Sequence, residues 1–282
     1  MSRAAATGAV LGIDVGYSAQ RASTVFARLS WNERQARLRF AAATLAPASR
    51  AAALDSCLAD GPVSGVAIDG PLSPRQGGRR PPQNHHRAAE SLLSRGVLVR
   101  RGKAGALNTP SGQQLHAQAL ALAAQLEAAQ PAAWIIEAFP NAWLMAQMRE
   151  AAFTPLRRNA SDVFWQQLLE EGRLDAGLRR WLPGRALQPA LATITDHDQR
   201  AAAVCAFTAL GWHCGEGLAV GNPAEGLIVL PPAALWGEGA HGPWLGPVLD
   251  ANLAALRRQR PDPATGLYPA AALDPPSGAG GG

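Results

Sequence analysis

Short apolar runs bounded by turn residues recur along the chain. The first three runs are separated by short links, which is typical of antiparallel strands, whereas helical patterns separate the later runs, as in parallel crossovers. The pattern therefore predicts an α/β fold with one mixed sheet, three antiparallel strands followed by parallel strands, and helices on both faces. The predicted strands are Gly8–Gly16, Ala22–Leu29, Ala36–Thr44, Val63–Asp69, Ala133–Ala138 and one within Gly221–Pro231, with a short edge strand at Val97–Arg100.

Helical periodicity and capping residues predict the helices between and after these strands. Residues 141–192, punctuated by prolines, are predicted to form a helical insertion. No linker divides the chain, so we expect a single domain over residues 1–273 and a disordered tail of low complexity over residues 274–282. The predicted helices are Ala48–Ala59, Asn84–Arg95, Ser111–Gln130, Thr195–Cys214 and Leu249–Arg258.

Composition narrows the class of protein. Hydrophobic residues make up 48% of the 282 residues and charged residues 17%, which excludes intrinsic disorder for the bulk of the chain. The sequence has no run of 18 apolar residues, so no membrane association is expected. Three cysteines with no zinc-site spacing indicate a reducing, cytoplasmic setting. The sequence does not indicate an oligomeric state.

The net charge of +5 is concentrated in one segment. Residues 75–103 carry eight basic side chains against Glu90 alone, a net charge of +7, and the rest of the chain has a net charge of −2. Guanidinium groups match phosphate oxygens in shape and charge. The segment is therefore a candidate for binding the phosphates of a nucleic acid, with a solvated surface loop as the alternative; the candidate residues are Arg75, Arg79, Arg80 and Arg87.

Acidic residues end three of the predicted strands. Asp14, Asp69 and Glu137 follow apolar runs, and parallel strands bring their carboxyl ends to one edge of a sheet, where binding sites gather. Clustered carboxylates repel one another unless a cation lies between them. Oxygen ligands suit Mg²⁺ or Mn²⁺, so the pattern predicts a metal site that can serve phosphodiester hydrolysis.

The late helix offers a further carboxylate. Asp196 and Asp198 lie at its predicted start, where an acidic side chain caps backbone N–H groups or favours the helix dipole as readily as it binds a metal. Both readings stay open for Asp196. His197, between them, is a candidate acid–base group because histidine titrates near neutral pH.

Several of these segments together resemble a known family. The motifs GIDVG, VAIDGPLSP, RAAE, IIEAFP, TDHDQRAA and GLIVLP are similar to those of the predicted RNase H-like nucleases of domain-of-unknown-function family 429. The resemblance implies an RNase H-like fold and a metal-dependent nuclease, with Asp14, Asp69, Glu137 and Asp198 as catalytic metal ligands. One departure from the resemblance is Ala201, where family members often carry a further Asp.

Two alternatives to a nuclease remain. The substitution at Ala201 favours a non-catalytic nucleic-acid-binding protein on the same fold. The Asp14-Val15-Gly16 turn is similar to the first phosphate motif of actin-like kinases and ATPases, but only one copy of the three-strand start is visible in the sequence.

Overall fold

The computed structural model describes residues 4–73, 86–100, 110–152 and 160–273. Within these ranges, nine strands form one mixed sheet and two short strands form a separate ribbon. The strands are β1 (Gly8–Asp14), β2 (Thr24–Trp31), β3 (Gln35–Ala43), β4 (Gly65–Asp69), β5 (Trp134–Ala138), β6 (Ala186–Gln188), β7 (Leu218–Asn222), β8 (Gly226–Leu230), β9 (Glu238–Gly239), β10 (Gly242–Pro243) and β11 (Gly266–Pro269). The helices are α1 (Pro47–Leu58), α2 (Ala88–Leu93), α3 (Pro110–Ala129), α4 (Pro140–Gln147), α5 (Ala160–Glu170), α6 (Arg173–Trp181), α7 (His197–His213) and α8 (Leu245–Gln259).

The strand order in the large sheet is β11-β7-β8-β5-β4-β1-β2-β3-β6. Strands β1, β2 and β3 form an antiparallel meander, and β4, β5 and β8 continue from β1 as parallel strands. The predicted α/β fold with a mixed sheet is therefore confirmed, but the later strands are not all parallel, since β7 pairs antiparallel with β8 and β11 antiparallel with β7. Because β1 and β4 are parallel neighbours near the centre, their carboxyl ends meet at one edge of the sheet.

Helices cover both faces of the sheet because alternate residues of the central strands are apolar on both sides. On one face, Val10 and Ala67 belong to a core that includes Ala206 of α7. On the other face, Leu11 and Ile68 belong to a core with residues of α1 and α3. No helix in the described part of the chain is long and apolar enough to span a membrane.

One prediction about local structure is wrong, and several strands were not predicted. Val97–Arg100 lies in a 3-10 helix, Gly96–Arg100, that begins at a glycine with φ of 55°. A run of only three apolar residues does not distinguish a strand from a helix by periodicity. The strand predicted within Gly221–Pro231 is confirmed as β8, and the turn before it joins β8 to β7, a strand that was not predicted, in a hairpin. The short strands β6 and β9 to β11 lack any apolar run and were not predicted.

Candidate active site

Asp14 and Asp69 lie side by side at the carboxyl ends of β1 and β4. They are register partners in the parallel pairing of the two strands, so their side chains leave the same face of the sheet. Both side chains are half-buried. The sheet thus brings together two of the predicted site residues that are 55 positions apart in the chain.

The two carboxylates disfavour each other's ionised form. Burial raises the pKa of Asp14 well above its ordinary value, and repulsion from Asp69, Asp198 and Asp196 raises it further. Burial, with repulsion from Glu137, raises the pKa of Asp69 to about 7. A pair with these properties either retains a proton near neutral pH or attracts a cation.

A glycine in β1 allows α7 to approach this pair. A Cβ atom at Gly12 would lie 2.1 Å from the backbone N of Ala206 and 2.3 Å from the carbonyl oxygen of Ala202. Only a residue without a side chain therefore lets α7 pack directly on β1. The start of α7 then lies close enough to Asp14 for both of its acidic residues to raise the pKa of Asp14.

The two acids at the start of α7 have different roles. Asp196 is the N-cap, and its carboxylate accepts a hydrogen bond from the backbone N–H of Gln199 at 2.9 Å. Asp198 lies in the first turn and is half-buried, and burial raises its pKa ahead of repulsion from Asp196. Asp198 also lies 4.0 Å from the guanidinium of Arg21, an exposed side chain in the loop between β1 and β2. Asp198 is therefore the helix-borne carboxylate that remains available to a ligand.

Cys205 of α7 is buried close to the carboxylate pair. Its thiol is fully buried. Burial raises its pKa first, and the charges of Asp69 and Asp14 raise it further. The thiol therefore stays neutral and contributes packing rather than a reactive group.

Glu137 is shifted by one residue from the register of Asp14 and Asp69. In the pairing of β4 with β5 it lies opposite Ile68, and Ala138 lies opposite Asp69, so the side chain of Glu137 leaves from the other face of the sheet. Glu137 and Asp69 still line one small cavity of about 120 Å³. The structure thus places Glu137 near Asp69 but does not align it with Asp14.

Arg87 occupies both carboxylate oxygens of Glu137. Its two terminal nitrogens donate to Glu137 at 2.6 and 2.8 Å, and its Nε donates to Glu90 at 3.0 Å. Arg87 is only 1% exposed. Burial opposes its charged form, but Glu137 and Glu90 outweigh that cost and raise its pKa.

The buried position of Arg87 weighs against the prediction that it binds substrate. Its guanidinium is buried and engaged on both edges, so it binds two carboxylates of its own chain instead of a phosphate. The other predicted phosphate-binding residues, Arg75, Arg79 and Arg80, lie outside the described residues.

His197 belongs to an exposed ionic cluster at the start of α7. Its Nδ1 lies 2.9 Å from one carboxylate oxygen of Asp162, and Arg200 donates to the other oxygen at 3.1 Å. This pairing fixes the orientation of the imidazole. Among the described residues, no hydrogen bond or ion pair joins the imidazole of His197 to Asp14.

No protein-family model, curated protein or solved structure matches the chain. In the described ranges, no group of three or more His, Cys, Asp or Glu residues is arranged to hold a metal ion by itself. Mg²⁺, however, usually retains several waters and takes one or two carboxylates together with substrate phosphates, and Asp14 with Asp69 fits that donor set.

Sequence reasoning missed Gly12 and Arg21. A glycine inside an otherwise apolar strand is a signal for close backbone approach, so Gly12 was identifiable in principle. Arg21 had no such signal, because its place beside Asp198 depends on how α7 packs against the loop after β1.

Proposed function

We propose that the chain is a divalent-cation-dependent phosphodiesterase that acts on nucleic acid and has an RNase H-like fold. Support for the fold is the strand order β3-β2-β1-β4-β5 with only the first three strands antiparallel. This strand order agrees with the RNase H-like fold that the resemblance of the sequence motifs to family 429 implies. We propose membership of that family on the same grounds.

The observation that carries the proposal is the pairing of Asp14 with Asp69. Two carboxylates on adjacent strands, on the same face and with raised pKa values, are costly for the fold unless a cation offsets their charge. In this proposal Asp14 and Asp69 hold Mg²⁺ or Mn²⁺, and Asp198 approaches from α7. A bound divalent cation supplies positive charge that offsets the carboxylates and the charge that develops on a reacting phosphate.

The remaining residues position this group. Gly12 sets the distance of α7 from β1, and Arg87 fixes Glu137 beside the cavity that Asp69 lines. Glu137 thus acts through Asp69, whose pKa it raises, and in this account it is a positioning residue instead of a ligand.

Cleavage assays test the proposal. Purified protein is incubated with single-stranded, duplex, hybrid and branched nucleic acids in Mg²⁺, in Mn²⁺ or in EDTA. We expect cleavage of at least one substrate in a divalent cation and none in EDTA. Asp14→Asn should abolish it, whereas Asp250→Asn, a change at an exposed carboxylate of α8, should leave it intact. Absence of metal-dependent cleavage on every substrate would refute a phosphodiesterase.

A second candidate is a nucleic-acid-binding protein without turnover. It is favoured by the bidentate salt bridge that occupies Glu137 and by Ala201, where family members carry Asp. This candidate predicts binding that survives EDTA and weakens steeply with salt, with no cleavage in the same assays.

A further inference from the structure

A second cleft lies at the edge of the sheet opposite Asp14 and Asp69. It has a volume of about 730 Å³, which falls within the usual size of small-molecule sites. It is formed where β1 and β4 begin and where β2 ends, so the length of β1, roughly 20 Å at 3.3 Å per residue, separates it from the carboxylate pair. Its lining includes three aromatic side chains, Trp31, Trp134 and His213.

Two glycines leave the space that the indole rings of this cleft occupy. Gly8 and Trp31 are register partners, as are Gly65 and Trp134. A Cβ atom would lie 2.4 Å from the ring of Trp31 at the first glycine and 2.1 Å from the ring of Trp134 at the second. Each indole therefore lies across the backbone of the neighbouring strand.

The two indoles differ in what remains accessible. Trp31 is 4% exposed, packs at a tilt against His213 with ring centroids 5.4 Å apart, and donates its Nε1–H to the carbonyl oxygen of Ala5. Trp134 is half-buried and lines the cleft. Among the described residues, its Nε1–H has no hydrogen-bond partner. Trp134 thus offers an aromatic surface and a hydrogen-bond donor.

Polar groups complete the lining. The ring nitrogens of His213, like Trp134 Nε1, lack a hydrogen-bond partner within the described ranges, and the imidazole is half-buried. Arg28 is 3% exposed and is held by the carbonyl oxygens of Cys57 and Gly61 at 2.9 and 2.8 Å. Its buried Nε finds no partner in the described part of the chain. The cleft therefore combines an aromatic surface and N–H donors with two opposite charges, those of Arg28 and Asp60.

We infer that this cleft binds a nucleobase, presented as a nucleoside or nucleotide. A base is planar and stacks on an indole without regard to its identity. Its carbonyl and ring nitrogen acceptors suit the N–H groups of Trp134 and His213, which line the cleft. The inference does not depend on the proposed phosphodiesterase activity.

Calorimetric titration of the full chain tests this inference. The probes are the 5′-monophosphates of adenosine, guanosine, cytidine and uridine, with ribose 5-phosphate as the probe without a base. We expect saturable binding of at least one nucleotide and none of ribose 5-phosphate. Trp134→Leu removes the flat ring and should weaken binding about tenfold or more. Trp212→Leu is the matched control, because Trp212 is also half-buried but lines a different cavity.

Each other outcome overturns the inference. Failure of all four nucleotides to bind in the millimolar range excludes a base site, and equal binding of ribose 5-phosphate shows that the base is not recognised. Unchanged affinity in both Trp134→Leu and His213→Ala, with melting temperatures equal to wild type, places the ligand elsewhere. Loss of binding in Asp14→Asn would assign the ligand to the carboxylate pair.

Discussion

Asp14 of β1 and Asp69 of β4 lie side by side as register partners at the carboxyl ends of two central strands of a nine-stranded sheet. The register of two parallel strands fixes which residues share a face, and a shift of one residue would send the two carboxylates to opposite faces. Glu137 on the next strand has that one-residue offset relative to Asp69. Asp14 and Asp69 are therefore paired on one face of the sheet, whereas Glu137 leaves from the other face and is bound by Arg87.

The pH dependence of the free energy of unfolding should reveal the raised pKa of Asp69. The folded-state pKa of Asp69 is about 7, above its ordinary value of 3.8, so folding favours the protonated form. This contribution to stability is complete below about pH 4 and is lost as the pH rises toward 7. In EDTA, the wild-type free energy of unfolding should therefore fall across this window.

Asp69→Asn should remove most of that pH dependence. Since one pKa unit corresponds to about 1.4 kcal/mol, and the two carboxyls titrate together, we expect the variant to be more stable than wild type by roughly 2 kcal/mol at pH 8. Urea unfolding at pH 4.5 and pH 8 measures this difference. A variant that is equally destabilised at both values would contradict the shifted pKa.

A divalent cation should offset the destabilisation that burial and repulsion cause when Asp14 and Asp69 are ionised. Mn²⁺ or Mg²⁺ binds the native state, so it should raise the melting temperature of the wild-type protein with increasing concentration. The same titration should not stabilise Asp14→Asn, whereas Asp250→Asn should behave as wild type. A shift of equal size in Asp14→Asn would place the cation at another site.

Gly12→Ala should disrupt the packing of α7 on β1. The added methyl group meets backbone atoms of Ala202 and Ala206 at 2.3 and 2.1 Å, and overpacking of this kind typically costs about 1 to 3 kcal/mol. Gly177→Ala in α6 is the control, because its nearest side chain, Leu235, lies 3.5 Å away and alanine favours helices by about 0.5 to 1 kcal/mol. Chemical denaturation of both variants gives the comparison, and equal stabilities would contradict the role of Gly12.

Much of this arrangement follows from sequence patterns, and some of it does not. The apolar runs ending in Asp14 and Asp69 predict the central strands, because a buried parallel strand is apolar on both faces. The capping role of Asp196 was one of two alternatives that local pattern allows, and the structure supports it. The engagement of Glu137 by Arg87 depends on side chains 50 positions apart, and no local pattern encodes such a contact.

Asp196 and Asp198 should respond differently to the same substitution. Asparagine caps helices about as well as aspartate, so Asp196→Asn should retain both stability and metal binding. Asp196→Ala should cost about 1 kcal/mol through loss of the cap. Asp198→Asn should weaken metal binding with little effect on the helix. Thermal melts with and without Mn²⁺ separate the two roles, and a loss of Mn²⁺ stabilisation in Asp196→Asn but not in Asp198→Asn would reverse the assignment.

Breaking the buried pair of Arg87 with Glu137 should be costly. Removal of one partner leaves an uncompensated buried charge, so Arg87→Ala should lose about 3 to 5 kcal/mol. Arg149→Ala is the control, since Arg149 lies 3.8 Å from Glu171, is 63% exposed and belongs to a class of ion pairs that contribute about 0 to 1 kcal/mol. Denaturant midpoints measure both variants. A small effect at Arg87 would show that Glu137 is free to bind another partner.

The central claim is that Asp14 and Asp69, and not Glu137, hold a divalent cation. Titration of Mn²⁺ at pH 8, followed by electron paramagnetic resonance of the free ion, tests it most directly. We expect saturable binding in wild type, loss of that binding in Asp14→Asn and in Asp69→Asn, and retention in a folded Glu137→Gln variant. Absence of binding in wild type, or binding that survives both aspartate substitutions and disappears only in Glu137→Gln, would contradict it.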